Sequence, residues 1–357
     1  MKQVKTLSLT GEERAAKDIY TKSGVVLIPS GSVIRKEYVE KLIELGIFAV
    51  WVEEKYTIAE DIEGPSMASL ERIIRQDCET QIKNTMEKFY ISQNNELSEI
   101  KRIAENIIME VISNPEVLLN ITGMRNKSEA LYTHSVNVCI LSVIFGVKLK
   151  LTKNLVKMIA VGSILHDMGM KYVDARFSNY ANEFATLDIG KAFEKEYKKH
   201  VIYGYDLIKD EDWIEKEAKD IILYHHERLD GSGYPMHLTG KNLDIGPRIV
   251  AVSDEFDNLI YMEKMKVYEA IEKIIAGAGR QFDFDVVNVF NESVAAYPNG
   301  TYVITSDDEF GIVFRQNQKC PSRPVIRILK DKDGNDVKPF VRDMTKELSL
   351  FIKDTVE

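Results

Sequence analysis

From Ser69 onward, apolar residues recur at three- and four-residue intervals for more than two hundred residues. That sustained helical period commits the middle of the chain to a helical bundle. The first two windows, "SLERIIRQDCETQIKNTMEKFY" and "LSEIKRIAENIIMEVI", read as half-exposed surface helices. Denser apolar helices follow in "ALYTHSVNVCILSVIFGVKL", "NLVKMIAVGSILHDMG", "FEKEYKKHVIYGYDLI", "EKEAKDIILYHHE", "PRIVAVSDEFDNLIYM" and "VYEAIEKIIAGAG". The ends of the chain differ. Gly24 to Glu53 reads as strand "VVLIP", turn "SGS", helix "IRKEYVEKLIELG" and strand "FAVWV", a small α+β unit followed by the acidic linker "AEDIEGPSMAS". From "YPNGTYVITSDDEFGIVFRQN" onward, β-rich runs alternate with turn signals, as in a compact β unit. The expected fold is mainly α, with a small N-terminal α+β domain and a small C-terminal β-rich unit.

Composition narrows the partners. The 357 residues carry a formal net charge of -9, with no Lys- or Arg-rich run of the kind that grips duplex nucleic acid. A small anion remains admissible, because bound divalent cations reverse the local field. Cys78, Cys139 and Cys320 lie far apart and form no CxxC pair, which fits a reducing cytoplasm and offers neither a thiolate zinc site nor a disulfide framework. The N-terminus lacks an apolar signal region, and "VNVCILSVIFGV" is too short and interrupted to span a bilayer, so no membrane is expected.

The chemistry concentrates on six histidines. His166 and Asp167 stand at the end of one apolar helix, just before Gly169, and His225 and His226 at the end of another, just before Asp230 and Gly231. A helix C-terminus favours a cation, and the glycine beyond it lets the chain turn away. His134, His200 and Asp254 sit in apolar helical surroundings. Buried carboxylates need a partner or a metal. Histidine nitrogens with one or two carboxylates and no thiolate suit octahedral iron or manganese, and zinc less specifically. Each single residue also has a structural reading: His134 or His200 as a hydrogen-bonded core residue, Asp254 as a buried partner of Arg248, His237 as a loop residue, the glycines of "LDGSGYP" as a turn. The doublet is harder to satisfy in a dry core.

Taken in order, "YTHSVNV", "ILHDMG", "KKHVIYG", "YHHERLDGSGYP" and "RIVAVSDEFDNL" resemble the motifs of the HD-GYP family, a branch of the HD-domain metal-dependent phosphohydrolases. The likeness spans about Glu129 to Phe290, includes "AGRQFDFDVV", and takes in five of the six histidines. It implies an HD-type helical core at 127–292, preceded by a helical lead-in at 61–126 and a small domain at 1–60, and followed by an appended module at 293–357. It makes His134, His166, Asp167, His200, His225, His226 and Asp254 the metal ligands. Asp167 would bridge two ions, with His134, His166 and Asp254 on one side and His200, His225 and His226 on the other. His166 and Asp167 would be catalytic. The implied ions are two divalent metals, iron or manganese by preference, with zinc, magnesium and nickel left open. The implied reaction is hydrolysis of cyclic di-GMP to linear pGpG, and on to GMP, by a hydroxide bridging the metals. A diguanylate cyclase (GGDEF) partner meeting the GYP loop and a homodimer are further expectations.

Three departures bear on activity. The family's HD-x-G-K reads "HDMGMKYV" here, with Met170 at the lysine position and Lys171 one residue later. A third-metal carboxylate would fall at Ala130, with Glu129 out of line by one residue. Where the family has an Arg-Pro-Tyr-Arg-like segment, this chain has "YMEKMKVY", leaving Lys264 and Lys266 as either phosphate contacts or a solvated helix end. Gly233 and Tyr234 are the remaining candidate substrate contacts, and Arg248 a structural partner near Asp254. Besides the phosphodiesterase, the expectation therefore includes a weakly active binding module and a hydrolase of another cyclic dinucleotide.

Overall fold

Alternating apolar residues in the first fifty positions pair into short strands. In the computed structural model, which describes residues 2–9, 11, 13–20, 26–29, 31–52, 67–92, 96–113, 130–173 and 194–356, β1 (Lys2–Lys5) runs antiparallel to β4 (Ala49–Val52), and β2 (Ile19–Tyr20) to β3 (Val26–Ile28). Helix α1 (Val39–Glu44) adds Leu42 to a core of Leu9, Ala15, Ile19, Ile28, Ile34, Val50 and Val52. These residues belong to the first of two compact units, Met1–Pro65 and Ser66–Glu357.

The second unit carries the helices. They are α2 (Met67–Ser92), α3 (Glu99–Ser113), α4 (Ala130–Lys148), α5 (Lys153–Leu165), α6 (His200–Ile208), α7 (Lys216–Tyr224), α8 (Ile245–Tyr261), α9 (Val267–Ala276) and α10 (Phe284–Asn291). Helix α4 is apolar on all sides because it separates two cores. Val136, Cys139 and Val143 pack with Ile82, Ile100, Ile103 and Ile164. Val138, Leu141 and Phe145 pack with Ile159, Ile249, Phe256 and Phe290. Each such side chain, fully buried, contributes about 1.5–3 kcal/mol. By length and composition Leu131–Lys148 could cross a membrane, a longer apolar run than "VNVCILSVIFGV" alone, yet 72% of that window is buried inside the protein.

Local signals set the helix ends. Thr152 caps α5, accepting a hydrogen bond from Leu155 N, and Asp283 caps α10, accepting from Asp285 N and Val286 N. Helices α5 and α7 stop at Leu165 and Tyr224, so His166 with Asp167 and His225 with His226 lie in the turns just beyond. The chain ends in a five-stranded antiparallel sheet of β5 (Tyr302–Thr305), β6 (Phe310–Arg315), β7 (Val325–Lys330), β8 (Asp336–Asp343) and β9 (Ile352–Val356), ordered β8-β7-β6-β5-β9. Its core is built from Val303, Val313, Ile326, Ile328, Met344, Leu350 and Ile352.

Candidate metal centre

Five helices bring the seven polar residues to one place. His134 comes from the first turns of α4, His166 and Asp167 from the end of α5, His200 from the start of α6, His225 and His226 from the end of α7, and Asp254 from the middle of α8. All except His226 are buried, and His226 is largely so. Two groups of ligand atoms, each within 4.8 Å of one another, form: His134, His166 and Asp254, and Asp167, His200, His225 and His226. Asp167 lies between them. Its Oδ2 is 3.7 Å from both His134 Nε2 and His166 Nε2, while its Oδ1 is 3.3 Å from His200 Nε2 and 3.8 Å from His225 Nε2.

The tautomers follow from what stands behind each ring. His166 Nδ1 donates to Ser163 O at 2.7 Å, His200 Nδ1 to Tyr197 O at 2.7 Å and His225 Nδ1 to Ile222 O at 3.1 Å. A carbonyl oxygen only accepts, so each Nδ1 carries the hydrogen and each Nε2 presents a lone pair. His134 Nδ1 points at Asp257 Oδ2 at 2.6 Å, with the same result. The lone pairs face one another. His134 Nε2 and His166 Nε2 are 3.1 Å apart, and His200 Nε2 and His225 Nε2 are 3.4 Å apart. Neighbouring acceptors without a shared hydrogen repel, and a cation between them relieves this. His226 Nε2 is also buried with no hydrogen-bond partner among the described residues. The donors present fit divalent cations.

Burial sets the charges. It pushes the His200 imidazole below its usual value and those of His225 and His226 well below, so these rings are held neutral, as metal ligation requires. It pushes Asp254 up to about 6, against the pull of neighbouring His166. Burial likewise raises the phenols of Tyr197 and Tyr234, which stay protonated beside the site.

Two glycines act by close approach. A side chain on Gly169 would meet His200 O at 2.0 Å and Gly204 N at 2.5 Å, so its absence lets the turn after Asp167 lie against α6. Its expected role in turning the chain is secondary to this packing. At Gly233 a side chain would meet Arg228 N, Glu227 Cα and His226 O, each at 2.4 Å. The close approach there is made by the chain's own backbone, where a ligand or partner was expected. Buried Glu227 completes the loop, accepting hydrogen bonds from Met236 N at 2.6 Å and Leu238 N at 2.9 Å. Tyr234 then stacks on His226.

Other expected contacts lie elsewhere. Arg248 is no partner of Asp254: it donates to Asp283 Oδ2 at 2.9 Å and to the carbonyls of Leu243 and Gly240, tying α8 to the cap of α10. Asp254 instead meets His134 Nε2 at 3.0 Å and accepts from Asn258 Nδ2 at 2.8 Å. Lys266 reaches Asp354 on β9 at 2.5 Å, and no contact joins it to the histidines. Lys264 is exposed, with a positive φ of 53°. Lys171 turns toward α2, 3.7 Å from Glu87 and 5.5 Å from the Tyr90 ring centre. Glu129 lies outside the described residues. Asp257, Asn137, Tyr197 and Glu227 complete the surroundings of the site without standing out in the sequence. Asp257, one helical turn after Asp254, had a signal in that spacing.

An HD domain family model matches residues 119–286, and a KOW domain associated with HD domain matches residues 302–357. The chain is 27% identical over 230 residues to the cyclic di-GMP phosphodiesterase PA4108 of Pseudomonas aeruginosa, covering 63% of this chain and 54% of that protein. It is 36% identical over 145 residues to the cyclic di-GMP phosphodiesterase response regulator RpfG of Xanthomonas campestris pv. campestris, covering 38% and 36%. It is 27% identical over 206 residues to 3'3'-cGAMP-specific phosphodiesterase 2 of Vibrio cholerae, covering 56% and 36%. The chain thus spans about half the length of these relatives or less. Among solved structures, Bd1817, a HDG"Y"P protein from Bdellovibrio bacteriovorus, shares the fold with a TM-score of 0.54 at 19% identity, covering 82% of this chain and 98% of that one. Residues 119–286 of this chain are thus similar to the HD domain, in a chain whose listed relatives are cyclic dinucleotide phosphodiesterases and whose fold is shared with an HDG"Y"P protein.

Proposed function

We propose that the protein is a metal-dependent phosphodiesterase that opens cyclic di-GMP to linear pGpG, with two divalent ions held on either side of Asp167. The observation that carries this reading is the pair of facing Nε2 contacts, His134 with His166 and His200 with His225, whose hydrogens are committed to the opposite ring nitrogens. His134, His166 and Asp254 would hold one ion and His200, His225 and His226 the other, with Asp167 reaching both. When bound, such ions supply the positive charge that a phosphodiester needs and lower the pKa of a water nucleophile toward neutrality. The protein's own part is to keep the imidazoles neutral, fix their tautomers from behind and exclude bulk water. No basic groove is required. The names of the relatives support cyclic di-GMP as substrate, and the choice of iron or manganese follows from the His and carboxylate set.

The test is to incubate purified protein loaded anaerobically with iron or manganese with cyclic di-GMP and resolve the products by chromatography. Formation of pGpG or GMP is expected, and it should vanish in His166→Ala and Asp167→Ala. Absence of product from the wild type in both metal forms would sink the proposal. A second reading, a cyclic dinucleotide binder with little turnover, is favoured by the direction of Lys171, which leaves the site's expected amine on α2. Calorimetric binding of cyclic di-GMP without product over hours would select it. A further relative acts on 3'3'-cGAMP, so competition between that nucleotide and cyclic di-GMP in one assay assigns the base preference.

A further inference from the structure

The histidines are not supported alike. His166, His200 and His225 each give the Nδ1 hydrogen to a neutral main-chain carbonyl of the preceding turn, those of Ser163, Tyr197 and Ile222. His134 gives it to a carboxylate, Asp257 Oδ2, at 2.6 Å. Asp257 is only 1% exposed, and its other oxygen accepts from Asn137 Nδ2 at 2.9 Å. The arrangement comes from two matched helical spacings. Asp254 and Asp257 lie one turn apart on α8, His134 and Asn137 one turn apart on α4, and the two pairs interlock, with Asp254 Oδ1 3.0 Å from His134 Nε2.

A carboxylate behind an imidazole fixes its tautomer and makes its other nitrogen a stronger donor to a cation. The group of His134, His166 and Asp254 therefore offers an ion one direct carboxylate, a second acting through His134, and a share of Asp167. The group of His200, His225 and His226 offers three imidazoles and a share of Asp167, with Asp254 Oδ2 reaching it only at 3.6 Å, beside His226 Nδ1. Buried charge differences of this kind are poorly screened.

We infer that Asp257 makes the two positions unequal, so that the ion at His134, His166 and Asp254 binds first and tightly while the ion at His200, His225 and His226 is the exchangeable one. Asp257 is a positioning residue, acting through His134. This inference rests on the two-ion reading above.

Asp257→Asn isolates the charge. Asn137 Oδ1 is buried with no hydrogen-bond partner among the described residues, so turning the Asn137 amide over lets it accept from the new amide, whose oxygen still accepts from His134. Chelator-stripped protein of residues 1–357 is titrated with Mn2+, following free manganese by its paramagnetic resonance signal and binding heat by calorimetry. The wild type should show two classes of site, one ion each. Asp257→Asn should weaken the tighter class about 10- to 100-fold and leave the other within about threefold, while His225→Ala removes the weaker class. An Asp257→Asn variant that weakens neither class, both equally, or the class removed by His225→Ala overturns the inference and leaves the two-ion reading standing. A wild type that binds a single ion overturns both. A second measurement needs no variant: anomalous scattering from wild-type crystals grown with one equivalent of manganese should place the ion at His134, His166 and Asp254. Occupancy mainly at the other group refutes the inference.

Discussion

The phenol ring of Tyr234 lies on the imidazole of His226, with centroids 4.7 Å apart and planes inclined by 24°. The loop after the histidine doublet is thus part of the wall of the candidate metal centre. Its geometry depends on Glu227, the residue after the doublet, whose two carboxylate oxygens take the N–H groups of Met236 and Leu238. The signature carries its own anchor.

Removing that anchor takes the acceptor from two part-buried N–H groups, at about 1 kcal/mol for each lost bond. Glu227→Ala is therefore expected to destabilise the protein by about 2 kcal/mol in total, measured by urea denaturation of the metal-free form. Glu227→Gln, which keeps one acceptor, should lose roughly half as much. Hydrolysis should fall in the same order, because Tyr234 is no longer held against His226. Unchanged stability in Glu227→Ala would show that the loop is fixed by other contacts.

The sites legible in the sequence were those built from local spacing. The two histidine-bearing helix ends stood out by themselves, while His134, His200 and Asp254 were named as ligands through the resemblance of their short motifs, and the structure brings all seven side chains together. Contacts closed over long separations could not. Arg248 finds Asp283, 35 residues away, in preference to nearby Asp254, because the cap of α10 is placed beside α8 by packing. Gly233 reads as freedom for a ligand until the strand of loop crossing Glu227 is seen. At the N-terminus, "KQVK" is too short and charged to announce a strand, and its pairing to β4 comes from Val4 packing into the small core.

Metal binding should stabilise the fold. The Nε2 lone pairs of His134 and His166, and of His200 and His225, face each other across 3.1 and 3.4 Å, so the metal-free protein carries a repulsion that a cation removes. At a free ion concentration 100 times its dissociation constant, a ligand specific for the folded state adds about 2.7 kcal/mol. Differential scanning calorimetry should show a lower melting temperature after chelation, restored by Mn2+. In His166→Ala the restoration should shrink. A melting temperature indifferent to chelator would count against a buried metal centre.

Stability of the metal-free protein should fall as pH drops. Burial holds His225 and His226 well below their usual value of 6.5, with His200 lowered in the same way. When a base is depressed in the folded state, the unfolded chain binds more protons over the interval between the two values, so stability rises with pH there. The stability is intact above about pH 6.5 and declines below it, by about 1.4 kcal/mol per pH unit for each such histidine. Asp254, raised to about 6 by burial, and Glu255, raised by burial in the same way, act in the opposite sense in the acid range, and these two carboxyls are outnumbered by three imidazoles. Melting curves of stripped protein between pH 5 and 8 check this. A flat profile would mean that the rings are hydrated in the metal-free form.

Met170 offers the sharpest test of turnover. The motif that this stretch resembles usually reads HD-x-G-K, with a lysine where Met170 stands, and here the neighbouring Lys171 is turned away: it is half exposed, with its amine near Glu87 and above Tyr90 on α2. The ion pair it makes there is a surface one, worth about 0–1 kcal/mol, so Lys171→Ala should leave hydrolysis nearly unchanged. Met170→Lys, by contrast, restores a donor at the position next to Gly169, whose packing on His200 and Gly204 fixes the turn that carries Asp167. A preorganised donor aimed at developing charge is worth on the order of 100- to 1,000-fold in turnover, so Met170→Lys should raise kcat on cyclic di-GMP toward that range, with little change in KM. Steady-state kinetics of the two variants separate the cases. A loss of activity in Lys171→Ala with no gain in Met170→Lys would mean that the amine swings from α2 into the site when substrate binds.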